Sequence, residues 1–288
     1  MKTCIEWLRR HPVLTCILAT GYFFAVVLPH EHVQVQVARL FEGMPRQEYQ
    51  EVILVGGLAV FGMYLAVLGV LAVMNRKVNA TLAYLAITLI LLVLSVHILV
   101  IHNFEMIHFP QYIFLAILIF PLVMRYGETV FWTTLLGAVD EAYQYFYLAP
   151  QRTAYFDFND IILNLLGAAL GVLLIFSSGV PAKAYNMKKW YVSPVFRTIA
   201  LLVIGITILF QTPLLNMYPS ADETSMRSAL IQKSPEGFWE HVPHLNDKFH
   251  IVRPIEGILL VILLLLLYYT MDIAARRRAG VYGKEKLT

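Results

Sequence analysis

A 288-residue chain with 59% hydrophobic side chains, only 14% charged and a mean hydropathy of +0.66 is no ordinary soluble domain, in which roughly a quarter of residues carry charge. Its formal charge of +3 is scattered, and no Lys/Arg block interleaved with aromatics argues for nucleic acid as a partner. The two cysteines, Cys4 and Cys16, fit neither a metal knuckle nor a disulfide framework.

Several apolar runs reach the roughly 17 to 25 residues that a helix needs to cross a bilayer. They are continuously apolar and do not alternate with period two, which favours helices over a membrane barrel. The expected fold class is all-α, a polytopic membrane helix bundle of about eight transmembrane helices. The first run, 13–29, follows Lys2, Arg9 and Arg10 in the manner of a signal peptide. It ends in VVLPHEH with no small-x-small cleavage site, so a retained helix is expected. Residues 30–51 contain VQVARLF and are expected along the interface or as a short outer helix.

Helices follow at 52–74, 80–101, 104–124, 129–148, 160–178, 198–215 and 254–271. The outer loop 216–253 mixes Pro, acids and aromatics and is too short to be a domain of its own. Two readings stay open for it: Phe238, Trp239 and Phe249 dip into the headgroup layer, or the loop is a lid packed on helix ends. With the N-terminus inside, fifteen of the 22 Lys and Arg fall on the inner side, as the positive-inside rule asks. Both termini are expected in the cytoplasm. The chain divides into an N-terminal helix pair with an outer amphipathic segment (1–78), a membrane core (79–180) and a C-terminal helix pair with the outer loop (181–288).

The core carries the chemistry. The stretch DEAYQYFYLAPQRTAYFDFND, residues 140–160, sets acids and an arginine against apolar sequence. On a helix, Asp140, Gln144 and Glu141 lie at about 0°, 40° and 100°, with Gly137 between them. Asp140 falls about 18 Å from the inner end, in the outer half of the membrane. An Asp at the centre of a span costs roughly 2.5 to 3.5 kcal/mol, so these acids must face protein or a wet cavity. Asp160, Asn164, Gly167 and Gly171 share one face of the next helix, polar at its outer end and small-residue at its inner end. Asp160 also suits that helix's N-terminus. Glu105, His108 and Tyr112 form a third narrow face at the same depth, and Arg152 lies in the loop within reach of the acids. Three such faces argue for one shared polar pocket.

The same residues resemble the VanZ-like membrane family. His108-Phe109-x-x-Tyr112, Glu141-x-x-Gln144, Arg152 and Asp157-x-x-Asp160-x-x-x-Asn164-x-x-Gly167-Ala168-x-x-Gly171 follow its ordered pattern over roughly 80–180. Asn103, Phe104 and Glu105 stand where an Asp-Lys pair often precedes the His-Phe of that family. The resemblance implies a multi-pass protein of the bacterial cell envelope, in the cytoplasmic (inner) membrane. The family's namesake is associated with low-level resistance to the glycopeptide teicoplanin.

The substrate-binding set expected from these readings is His108, Tyr112, Glu141, Gln144, Arg152, Asp157, Asp160 and Asn164. Arg152 would hold a phosphate or carboxylate, which its planar fork matches, and the others would orient sugar or amide groups. The expected partner is a membrane lipid or lipid-linked envelope precursor, with no cofactor. Two rivals stand beside this: an enzyme on a lipid-linked substrate, with Glu141 or His108 as base, or an ion pair of Glu141 and Arg152 that only closes the bundle. Asp140, Glu141, Asp157 and Asp160 offer oxygen ligands for a divalent cation as an alternative, without an EF-hand glycine. No nucleophile elbow, P-loop or His-Glu-x-x-His is present.

Overall fold

The computed structural model describes residues 1–29, 35–36, 39–100, 103–148, 154–183, 191–212, 214–219, 229–233, 237–242 and 247–285. Pro12 shapes its first feature. Helix α1 (Lys2–Arg10) stops at His11, and Pro12 opens α2 (Pro12–Tyr22), which runs on as a wider turn over Phe23–Val27. Proline is tolerated at the first position of a helix because its missing N–H has no partner there anyway. The two helices meet at 108°. Thr15 Oγ1 bridges the break by donating to Leu8 O at 2.7 Å. Ile5 and Leu8 are buried while Trp7 is exposed, so α1 is an amphipathic helix that the expected start at residue 13 left out.

The remaining helices are α3 (Arg46–Met74), α4 (Val78–Ile98), α5 (His108–Val123), α6 (Tyr126–Tyr143), α7 (Phe158–Ser177), α8 (Pro194–Gln211) and α9 (Pro254–Glu285). Among the described residues six helices are long and apolar enough to cross a membrane, or up to seven with the bent pair. The expectation was about eight. The helix expected at 129–148 forms as α6, continued by a turn over Gln144–Leu148, but is too polar to count among them. Its Glu128, Thr129, Thr133, Thr134, Asp140 and Glu141 are all buried. This helix therefore faces protein, which is where polar side chains within a bundle belong.

The centre of the bundle is α7. Its span is 94% buried, against 6% for α3 and α8, and a helix apolar on all sides belongs in a core. It packs on α5, α6, α4, α9 and α3. Hydroxyls supply the cross-links: Tyr64 donates to Leu170 O at 3.0 Å, Thr81 meets Ser177 at 3.0 Å, and Thr88 meets Tyr268 at 2.9 Å.

One end of the bundle is basic. The α5–α6 turn is made by Met124, at a positive φ of 59°, and Arg125. Asp272 of α9 accepts from the N–H groups of Tyr126 and Gly127, both at 2.8 Å, and so caps α6 from another helix. Arg125 pairs with Glu128 at 2.6 Å, and Lys77 donates to Phe176 O at 3.0 Å.

The other end is strapped by the described residues of the loop 216–253. Phe156 N–H donates to Leu230 O at 2.8 Å and Gln232 N–H to Ala154 O at 2.7 Å. The Tyr145 hydroxyl donates to Ala229 O. Strands β1 (Glu240–Val242) and β2 (Asp247–Phe249) pair antiparallel, a small departure from the all-α expectation. Phe249 is buried, Phe238 stacks on His250 at 4.0 Å, and Lys248 sits over Trp239. Of the two readings kept open for this loop, the bonds to residues 154–156 and the buried Phe249 fit a packed lid, while Phe238, 57% exposed, fits the headgroup reading.

Candidate functional site

The site lies at the strapped end, where α5 and α7 begin and α6 finishes. Asp157 starts α7. Its side chain accepts from the N–H groups of Asn159 at 3.0 Å and Asp160 at 3.2 Å, the geometry of an N-cap. The sequence pointed to Asp160 at this terminus. The helix begins two residues earlier than expected, so Asp157 takes the cap and Asp160 is released to turn toward α5. There its Oδ2 lies 3.4 Å from His108 Nε2.

The three expected faces converge. His108 and Tyr112 sit one turn apart on α5 and are 2% and 0% exposed. Tyr112 donates to Asp140 Oδ2 at 3.4 Å, and Gln144 Nε2 donates to Glu141 Oε1 at 3.5 Å. Asp140, Glu141 and Asn164 are buried as fully as His108. The approach of the helices depends on small residues. A Cβ on Gly137 would come within 3.0 Å of Asn164 Nδ2 and 3.1 Å of the Tyr112 ring. One on Gly167 would meet His108 O and Phe109 O at 3.1 and 3.0 Å. Gln144, Asp157, Asp160 and Glu105 are only partly buried, so the cluster has a closed floor and an accessible rim.

Of the eight expected binding residues, the structure gathers His108, Tyr112, Glu141, Gln144, Asp157, Asp160 and Asn164. Arg152 lies outside the described residues. The acids put forward for a cation are turned to separate partners: Asp157 to its cap, Asp160 to His108, Asp140 to Tyr112 and Glu141 to Gln144. Among the described residues no three His, Cys, Asp or Glu side chains gather as a metal centre.

Electrostatics in the cluster are strongly acidic. Glu105, Asp140 and Asp160 all act on His108, and Asp157, Asp160 and Asp140 act on Glu141. At the rim, burial and the charge of Asp160 together push the Asp157 carboxyl up to about 7, although its two backbone N–H bonds pull the other way.

Two residues at this end had no role in the sequence reading. Asn159 donates to Leu99 O at 3.2 Å and His250 O at 2.8 Å, and accepts from Val252 N–H at 2.9 Å. It ties α7 to the end of α4 and to the lid. His250 pairs with Glu256 at 3.4 Å. An Asn inside D-F-N-D was the available signal, but its partners lie far off in sequence and leave no local trace.

No family model, no curated protein and no solved structure matches this chain.

Proposed function

We propose that this is a VanZ-like integral membrane protein of the bacterial cell envelope, both termini cytoplasmic, whose polar recess opens outward. The recess engages the headgroup of a membrane lipid or a lipid-linked envelope precursor, with Arg152 taking the phosphate or carboxylate. One observation carries the reading. Ionisable side chains from three helices meet at one end of the bundle, with a buried floor of His108, Tyr112, Asp140, Glu141 and Asn164 and a partly exposed rim. Such groups are expensive within a membrane and are commonly retained where they handle a polar ligand. The outward direction rests on the Lys/Arg distribution.

The test uses the full chain in lipid nanodiscs, with Glu141→Gln and Arg152→Gln made separately. Retained lipid and melting temperature are measured together. Lower lipid retention at an unchanged melting temperature supports the reading. If only the melting temperature falls, the cluster is internal glue and the site is abandoned.

An enzyme is the second reading, favoured by the His108–Asp160 pair at 3.4 Å, because a carboxylate that orients an imidazole is a familiar arrangement for a general base. Headgroup turnover that disappears in His108→Gln, with lipid still retained, would select it.

A further inference from the structure

The charge of the recess points to the part of the ligand that reaches its floor. Glu105, Asp140, Glu141, Asp157 and Asp160 are five carboxyl groups, and among the described residues of the cluster only His108 is of a type that can carry positive charge. Counting Arg152 in full still leaves an excess of acids. The hydrogen-bonding groups lean the same way. Carboxylates only accept, and the described donors around them are the hydroxyls of Tyr112 and Tyr155, the amides of Gln144 and Asn164, and His108.

A second observation stands apart from the acids. Asn164 is fully buried beside Glu141, and neither its Oδ1 nor its Nδ2 has a hydrogen-bond partner. It is held against α6 where Gly137 leaves no side chain in the way. Buried amide oxygens in folded proteins almost always have a donor. The floor therefore presents a carboxyl group and an amide side by side, with the amide's acceptor and its donor both open to a ligand.

We infer that the recess receives a primary ammonium group, carried by a phosphate–amine headgroup of the phosphoethanolamine class, and that Glu141, Asp140 and Asn164 Oδ1 are its acceptors. An ammonium has three N–H donors in about the volume of a water molecule, which suits a floor this closed. A quaternary amine has no N–H to donate to these acceptors. A divalent cation asks for six or more oxygens on one centre, whereas these acids are turned to separate partners. This inference rests on the headgroup reading and assigns the class of headgroup.

The experiment is a competition on the wild-type full chain. Nanodiscs are formed with equal parts of phosphatidylethanolamine, phosphatidylcholine and phosphatidylglycerol, and the lipids that stay with the protein after mild delipidation are quantified. The expected result is phosphatidylethanolamine enriched about tenfold over the other two, the ratio that one charge-assisted hydrogen bond supports. Glu141→Gln should bring that ratio close to one. Equal enrichment of the ethanolamine and choline lipids over phosphatidylglycerol would overturn the ammonium while leaving headgroup binding intact. Enrichment of no lipid would overturn the headgroup reading and the ammonium with it. Soluble phosphoethanolamine is then added to the enriched complex. Displacement assigns the site to the polar head alone, and persistence assigns it to the membrane-anchored lipid; both uphold the ammonium.

Discussion

At the scale of single residues, the N-terminus of α7 shows how much hangs on two adjacent polar positions. Asn159 is 5% exposed and makes three side-chain hydrogen bonds to Leu99, His250 and Val252. Replacing it with Leu leaves two carbonyls and one N–H buried without partners, each costing about 1–3 kcal/mol. Asn159→Leu should therefore destabilise the protein by on the order of 3 kcal/mol or more in denaturant unfolding, and should free the lid for proteolysis. Asp157 makes a prediction about pH. An acid whose folded pKa is raised is most stabilising when protonated, so its contribution is whole below pH 3.8 and is lost as pH rises through about 7. Asp157→Asn keeps a capping oxygen and cannot ionise. Its melting temperature should lose less than that of the wild type between pH 4 and 7, and parallel curves would remove the titration. The cap illustrates what a sequence conceals. D-F-N-D announces a helix start, but a shift of two residues decides which aspartate caps and which reaches His108.

At the scale of elements, most helices were legible because an apolar run long enough for a bilayer admits few other structures. Their neighbours were less so, since hydropathy does not say whether an apolar face meets lipid or protein. Glycines give the distinction a measurable form. On α7, a Cβ at Gly171 would lie 2.7 Å from Ile113 O, and one at Gly167 would lie 2.9 Å from Tyr112 Cβ. On α3, Gly62 and Gly69 have nothing within 4 Å. Gly167→Ala and Gly171→Ala should each cost about 1–3 kcal/mol, because backbone atoms must move apart. Gly62→Ala and Gly69→Ala should be neutral or stabilising by up to about 1 kcal/mol, the helix propensity gain alone. Thermal unfolding of the four variants in one detergent is the measurement. Equal losses in both helices would mean that α3 has a tight partner too. The small-residue stripe of α7 was visible in the sequence as a packing face. That α6, with its acids and threonines, would be held between neighbours was visible only as an argument about cost.

At the scale of the whole molecule, the two ends of the bundle differ in charge. Lys77, Arg125 and Lys183 gather where α7 finishes and α6 begins, and the acids of the recess lie at the opposite end. Helix α2 approaches the recess at its far end, where Tyr22 donates to Gln111 O at 3.1 Å. The preceding α1 is thus placed at the basic end, and Asp272 brings α9 to the same end. The lid was the least legible part, because its bonds join residues 154–156 to 229–232 and no local pattern encodes such a pairing. Its position supplies a test of direction. Gly237 is exposed with nothing within 4 Å, so Gly237→Cys in a Cys4→Ser, Cys16→Ser background should fold normally. If basic ends face the cytoplasm, a membrane-impermeant thiol reagent should label that cysteine in intact cells. With only Cys16→Ser made, native Cys4, also exposed, should react only after the cells are opened. The reverse pattern would turn the recess toward the cytoplasm, and an extracellular headgroup or precursor would then have no route to Glu141 and Asn164.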